Sequence, residues 1–165
     1  MEELNLKPNQ IITSNHFPLH SLDALKKYLG KCKLGETIFY TPVIKKDIVL
    51  KYFNDETLKK FKKFEIDNPS VEYFLLDGSH RTTALDLSKK DINAVSYETN
   101  KDIQTAKTSL KNHNPNSNIL EHTLEENCEI LTSHFTKTSG FMTVEQKTEK
   151  LVDHKFVPEH IYNKK

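Results

Sequence analysis

The residue types best suited to chemistry crowd into one stretch, Asp77-Gly78-Ser79-His80-Arg81-Thr82-Thr83, in a chain with only four glycines. It follows the apolar run Val71-Glu72-Tyr73-Phe74-Leu75-Leu76 and precedes Ala84-Leu85. Read as strand, turn and helix, the run ends at Asp77-Gly78 and a helix starts at about Ser79, with Ser79 as a cap. The free backbone amides of that first helical turn then face whatever lies beyond the strand end, which makes an anion site. His80 and Arg81 add cationic or polar donors, and Ser79, Thr82 and Thr83 add hydroxyls. Phosphate is the natural guest. Gly78 permits a positive φ or close backbone approach, and Asp77 stands where it can hold Mg²⁺ or orient an attacking hydroxyl. The same residues also have a plainer reading. Asp-Gly is a common turn, Ser a common cap, Thr83 can face solvent, and His80 and Arg81 can pair with surface carboxylates. Neither G-x-x-x-x-G-K-[ST] nor G-x-G-x-x-G occurs in the chain, which excludes P-loop and Rossmann explanations.

The elements that must position this turn follow from hydrophobic spacing. Leu22, Leu25 and Leu29 predict a helix capped by Ser21 and ending at Gly30. The β-rich sequence Thr37-Ile38-Phe39-Tyr40-Thr41-Pro42-Val43-Ile44 predicts an edge or bent strand because of Pro42. Leu58, Phe61 and Phe64 predict a surface helix behind Asn54 or Asp55, closed by Pro69. A buried strand over 71–76, the helix from Ser79 and a strand over 92–98 complete a small mixed α/β core. Beyond it, Ile103, Ala106 and Leu110 predict a helix, residues 112–118 a polar linker with Pro115, and Leu120, Leu124, Cys128, Leu131 and Phe135 a strongly amphipathic helix. A last helix opens with a capping box from Thr143 to Gln146. The expected class is α+β, with residues 1–100 as one small mixed-sheet domain and 101–165 as a helical C-terminal extension.

Composition narrows the partners. With 24 Lys and Arg against 23 Asp and Glu, a net charge of +1 gives no whole-chain attraction to nucleic acid or anionic membrane. Apolar runs are far short of the roughly 18 residues a membrane span needs, and the first ten residues lack the pattern of a signal peptide. A cytoplasmic protein with reduced Cys32 and Cys128 is expected.

The segment from Phe74 to Tyr97, FLLDGSHRTTALDLSKKDINAVSY, resembles the hallmark of the ParB/sulfiredoxin-like superfamily, where an apolar strand leads into D-G-x-H-R, a helix with an Ala-Leu pair and a further strand. With the preceding helix, glycine and Pro-containing strand the resemblance covers about residues 4 to 100. It implies nucleotide binding, by ATP or ADP or alternatively CTP, with Mg²⁺. Sulfiredoxins carry a catalytic cysteine where this chain has Ser79, so sulfinate chemistry lacks its thiol. ParB proteins have an Arg-rich box and a helix-turn-helix DNA module, whereas the helices after Asn100 are few and weakly basic. Free serine kinases, with D-G-H-H-R, are closest in motif. Carried over, His80 and Arg81 would grip nucleotide phosphates, Gly78, Ser79, Thr82 and Thr83 would add donors, and Asp77 would serve metal or substrate; Asp77, His80 and Arg81 form the implied catalytic set. The kinases place a catalytic glutamate just after a Lys-Pro turn. Here Lys7-Pro8 is followed by Asn9-Gln10, neither of which can act as a base.

The expected function is thus a nucleotide-binding protein, with phosphoryl transfer to a small hydroxyl substrate such as serine as its enzymatic form. The alternatives are a CTP-type regulatory or DNA-associated ParB-like module without turnover, and a ParB-like nuclease. The C-terminal helices can close the site or pair two copies as a homodimer. His113, His122, Cys128 and His134 match no metal-site spacing, and adjacent Ser79 and His80 point in different directions for a nucleophilic pair. Lys59, Lys60, Lys62 and Lys63 offer a basic surface for DNA or RNA, but a solvated helix face accounts for them, and Phe61 and Phe64 suit a core better than base stacking.

Overall fold

Side chains alternate between the two faces of a strand, so an uninterrupted apolar strand demands cover on both sides. The computed structural model, which describes residues 1–14, 21–108, 117–138 and 140–163, meets that demand with helices on each face of one sheet. Six strands, β1 (Glu2–Leu6), β2 (Ile11–Thr13), β3 (Thr41–Lys45), β4 (Tyr73–Leu75), β5 (Ile92–Ser96) and β6 (Met142–Thr143), pair in the order β1-β5-β3-β4-β2-β6. The sheet is mixed: β2 runs parallel to β4 and β3 parallel to β5, while the other pairs are antiparallel. The class is α+β, as expected.

Ile11, Val43, Tyr73, Leu75, Ile92 and Ala94 lie on one face, with Leu25, Leu29 and Cys32 of α1 (Leu22–Leu34), Ala84 and Leu85 of α4 (Ser79–Leu87), and Val144 and Leu151 of α7 (Val144–Asp153). Ile12, Ile44, Phe74 and Val95 lie on the other face. There they meet Val49 of α2 (Lys46–Leu50), Phe61 of α3 (Asp55–Asp67), Ile103 and Ala106 of α5 (Asn100–Thr108) and Cys128 and Phe135 of α6 (Leu124–Lys137). A short α8 (Glu159–Tyr162) joins the first face through Ile161. Cys32 and Cys128 are buried, unpaired and on opposite faces. On the second face Phe53, Phe61, Phe74, Phe135 and Phe141 form a continuous aromatic cluster, with Phe135 and Phe141 stacked at 4.8 Å between ring centroids.

Several boundaries differ from the sequence expectation, each for a local reason. α1 runs through Gly30 to Gly35, because Cys32 continues the buried stripe of Leu25 and Leu29; Gly35 at φ +67° donates its amide to Cys32 and so ends the helix. Pro42 is not at an edge: β3 lies between β5 and β4. The proline is tolerated because its missing amide falls at the end of the β3–β4 ladder: β4 stops at Leu75, and the carbonyl of Pro42 still accepts from Leu76. α6 starts at Leu124 and not at Ile119, since Thr123 and Glu126 form a reciprocal capping box and Asn118–Glu121 is a separate 3₁₀ turn. The box from Thr143 to Gln146 caps α7 as expected. The short α2 has too few residues for its spacing to be read from sequence.

The segment after residue 100 is not helical throughout, because β6 pairs with β2 as the sheet's last strand. Leu110, Pro115 and most of the expected linker lie outside the described residues. Among the described residues no helix is long and apolar enough to cross a membrane.

Candidate functional site

β4 ends at Leu75, and α4 begins four residues later. Gly78 makes that reversal: at φ +103° and ψ 34° it occupies backbone space that a side chain disfavours, and its carbonyl accepts the first helical bond from Thr82 N–H at 2.9 Å. The helix has no side-chain cap, so Ser79 is its first residue and not the cap expected from sequence. The amides of Ser79, His80 and Arg81 precede that first bond and form the positive end of α4. The carboxyl ends of the parallel strands β2 and β4 lie side by side at this edge, a usual place for ligands in sheets of this kind.

Two adjoining cavities, of about 480 and 250 Å³, open at this junction and share Leu76, Asp77, Ile130 and Leu131. The larger continues along Ser117, Asn118, His122 and Asn127. The smaller is walled by Ser14, Gly78, Ser79 and His134. Both lie within or near the range of small-molecule sites. Leu76, Ile119, Ile130 and Leu131 supply an apolar wall, while Asp77 is the one carboxylate among the described lining residues.

Arg81 is 2 % exposed. Its guanidinium lies directly beneath the turn: a Cβ on Gly78 would stand 2.6 Å from Nη2 and 2.7 Å from Nε. Nη2 is 3.7 Å from Asp77 Oδ2, which also accepts a hydrogen bond from Ser117 Oγ at 2.8 Å. Nε and Nη1 are buried without a hydrogen-bond partner among the described residues. A buried guanidinium with two unsatisfied nitrogens is costly unless an anion or water completes it. Tyr97 lies close by; burial raises its phenol far above the usual range, against a smaller opposing pull from the Arg81 charge.

The structure therefore brings Asp77, Gly78 and Ser79 to the cleft and puts Arg81 under it. His80 is half-buried on the first turn of α4 and lines neither cavity. Thr82 and Thr83 are buried, and the Thr82 hydroxyl donates to the carbonyls of Gly78 and Ser79. Neither threonine lines the cleft. Gln10 is used structurally, its side-chain oxygen accepting from Lys7 N–H at 2.8 Å in the turn where a kinase-like acid would stand.

Sequence reasoning missed the far wall, which comes from residues 117–134. One signal was available: Asn127 interrupts the apolar stripe of α6, and it is buried with its amide donating to the carbonyls of Ile119 and Thr123. That pair of bonds holds the 3₁₀ turn at Asn118–Glu121 against α6. Of the residues weighed for metal binding, His113 is outside the described residues and Cys128 faces the core, where burial pushes its thiol up to about 11. His122 is 3.4 Å from Glu126. Among the described residues no group of three or more His, Cys, Asp or Glu is arranged to hold a metal ion. On α3, Lys59, Lys62 and Lys63 are exposed and Lys60 faces Glu56 at 3.6 Å, while Phe61 is buried and Phe64 partly so. No family model, curated protein or solved structure matches the chain.

Proposed function

We propose that the junction of β4 and α4 binds a nucleotide through its phosphates, and that Asp77 can support phosphoryl transfer from it to a small hydroxyl compound such as serine. The observation that carries the reading is Arg81, an ion buried beneath an open helix N-terminus with two nitrogens lacking partners among the described residues. Its charge adds to the amide dipoles of α4, and both favour a phosphate seated over Gly78 and Ser79. The apolar wall of Leu76, Ile119, Ile130 and Leu131 suits a nucleobase. The likeness of the D-G-x-H-R stretch to ParB/sulfiredoxin-like proteins, and to free serine kinases in particular, supports the same reading.

In the transfer step the acceptor oxygen bonds to the terminal phosphorus, the bond from phosphorus to its bridging oxygen breaks, and the shortened nucleotide leaves. The acceptor's proton passes to Asp77. Mg²⁺ would neutralise charge on the phosphates. Asp77 is already engaged by Ser117 and faces Arg81, so it does not make a cation site by itself; the ion belongs with the nucleotide.

A second reading, nucleotide binding without turnover in a ParB-like regulatory module, is favoured by one observation: the cleft offers no carboxylate among the described residues besides that engaged Asp77. A thermal-shift panel of ATP, ADP and CTP, each with and without Mg²⁺, tests the common premise. Stabilisation by a nucleotide is expected, approaching about 2.7 kcal/mol at a hundredfold excess over Kd. Arg81→Ala should abolish the shift, and Mg²⁺ alone should give none. Indifference of the wild type to all three nucleotides, or an equal response from Arg81→Ala, would sink the premise. Incubation with nucleotide and free serine, followed by ³¹P NMR, separates the two readings: a phosphoserine signal lost in Asp77→Asn supports transfer, and nucleotide binding with no phosphoserine favours the module.

A further inference from the structure

Lys147, the fourth residue of α7, points into the protein and is 2 % exposed. Among the described residues its ammonium makes one hydrogen bond, a long one of 3.3 Å to the carbonyl of Ser14. Among the described residues no carboxylate forms an ion pair with it. A buried cation with no counter-charge is rare because desolvation of the charged form goes uncompensated. In keeping with that, burial lowers the Lys147 amine to about 8. The place where this happens is informative. Ser14 immediately follows β2, whose carboxyl end lies beside that of β4, and it walls the 250 Å³ cavity together with Gly78 and Ser79. α7 itself packs against both β2 and α4.

We infer that Lys147 is the counter-cation of the anionic group seated at the α4 N-terminus, reaching it from the Ser14 side of the cleft. The inference rests on the phosphate reading of that junction and adds to it a residue from the C-terminal third. A phosphate there meets the α4 amides directly, while the Arg81 guanidinium beneath the turn and the Lys147 ammonium behind Ser14 line neither cavity and add their charge from just below the cleft wall. Three sources of positive charge suit a polyphosphate better than a carboxylate or a single neutral hydroxyl. The buried lysine, without an ion-pair partner among the described residues, is then accounted for as one half of an ion pair whose other half is the ligand.

Isothermal titration with tripolyphosphate and with Mg²⁺-ATP at pH 7 tests this on four proteins: wild type, Lys147→Met, Lys147→Arg and the control Lys107→Met on the exposed side of α5. Lys147→Met should weaken binding about tenfold or more, the loss expected for one charge-assisted contact. Lys147→Arg should recover most of that loss, and Lys107→Met should bind as the wild type does. Equal affinity of wild type and Lys147→Met overturns the role of Lys147 and leaves the phosphate reading standing. Equal impairment of the Met and Arg variants assigns the loss to packing and also overturns it. Failure of the wild type to bind either ligand overturns both inferences. Should Lys147→Met lack the native circular dichroism spectrum, Lys147→Gln serves under the same criteria.

Discussion

Gly78→Ala is expected to destabilise the fold by about 3–5 kcal/mol, a large share of the roughly 5–15 kcal/mol typical of a domain. Two costs combine. At φ +103° the backbone of residue 78 lies outside the space an L-residue occupies readily, which costs about 1–3 kcal/mol. The new methyl would stand 2.6 Å from Arg81 Nη2, and the guanidinium cannot withdraw into solvent because it is buried. Overpacking of that kind adds about 1–3 kcal/mol. Urea unfolding reads the effect as a lower midpoint with an unchanged slope. Gly30→Ala is the matched control: Gly30 sits inside α1 with nothing within 4 Å of a built Cβ, so the same change should stabilise by about 0.5–1 kcal/mol. A Gly78→Ala midpoint equal to that of the wild type would contradict the close packing of turn and guanidinium. Because the methyl crowds the Arg81 guanidinium at the turn, the variant should also lose its response to nucleotide.

Lys147→Met should act in the opposite direction, stabilising the ligand-free protein at neutral pH by about 2 kcal/mol. The folded protein holds this amine at about 8, against 10.5 for the free side chain. Between those two pH values the unfolded chain keeps a proton that the folded chain has released, so this group makes stability rise with pH across the window. Below about pH 8 both states are protonated and the full penalty of about 3 kcal/mol is present; above about 10.5 neither is charged and it vanishes. Methionine removes the penalty but leaves the Ser14 carbonyl without its donor, at about 1 kcal/mol, which sets the net gain. The difference between variant and wild type, followed by urea unfolding from about pH 7 to 10.5, should shrink and then reverse sign. A variant less stable than the wild type at neutral pH would mean that Lys147 has a counter-charge. If the variant proves both more stable and poorer at binding, stability has been given up for a ligand at this position, a trade familiar from functional sites.

The amino-acid sequence by itself determined the local structure around the site. The order of apolar run, Asp77-Gly78 and polar helix start was enough to place the reversal, because only glycine takes that backbone conformation without cost and because side-chain spacing reports strand and helix periods directly. It also identified the capping box at Thr143 and narrowed the cap of α3 to Asn54 or Asp55, since caps depend on residues three apart; Asn54 is the one that accepts from Thr57. Tertiary structure decided what each side chain of the stretch does. Arg81 and Thr82 are neighbours in sequence, yet one lies buried under the turn beside Asp77 and the other spends its hydroxyl on the helix backbone. Pro42 looks like an edge residue until the length of β4 is known, since tolerance of a missing amide depends on whether a partner strand continues past it. The far wall at Ser117–Leu131 and the charge at Lys147 come from chain positions about 40 to 70 residues beyond the turn. Apart from Asn127, which interrupts the apolar stripe of α6, no local pattern announces them, because their meeting with Asp77 and Ser14 is set by how α6 and α7 pack on opposite faces of the sheet.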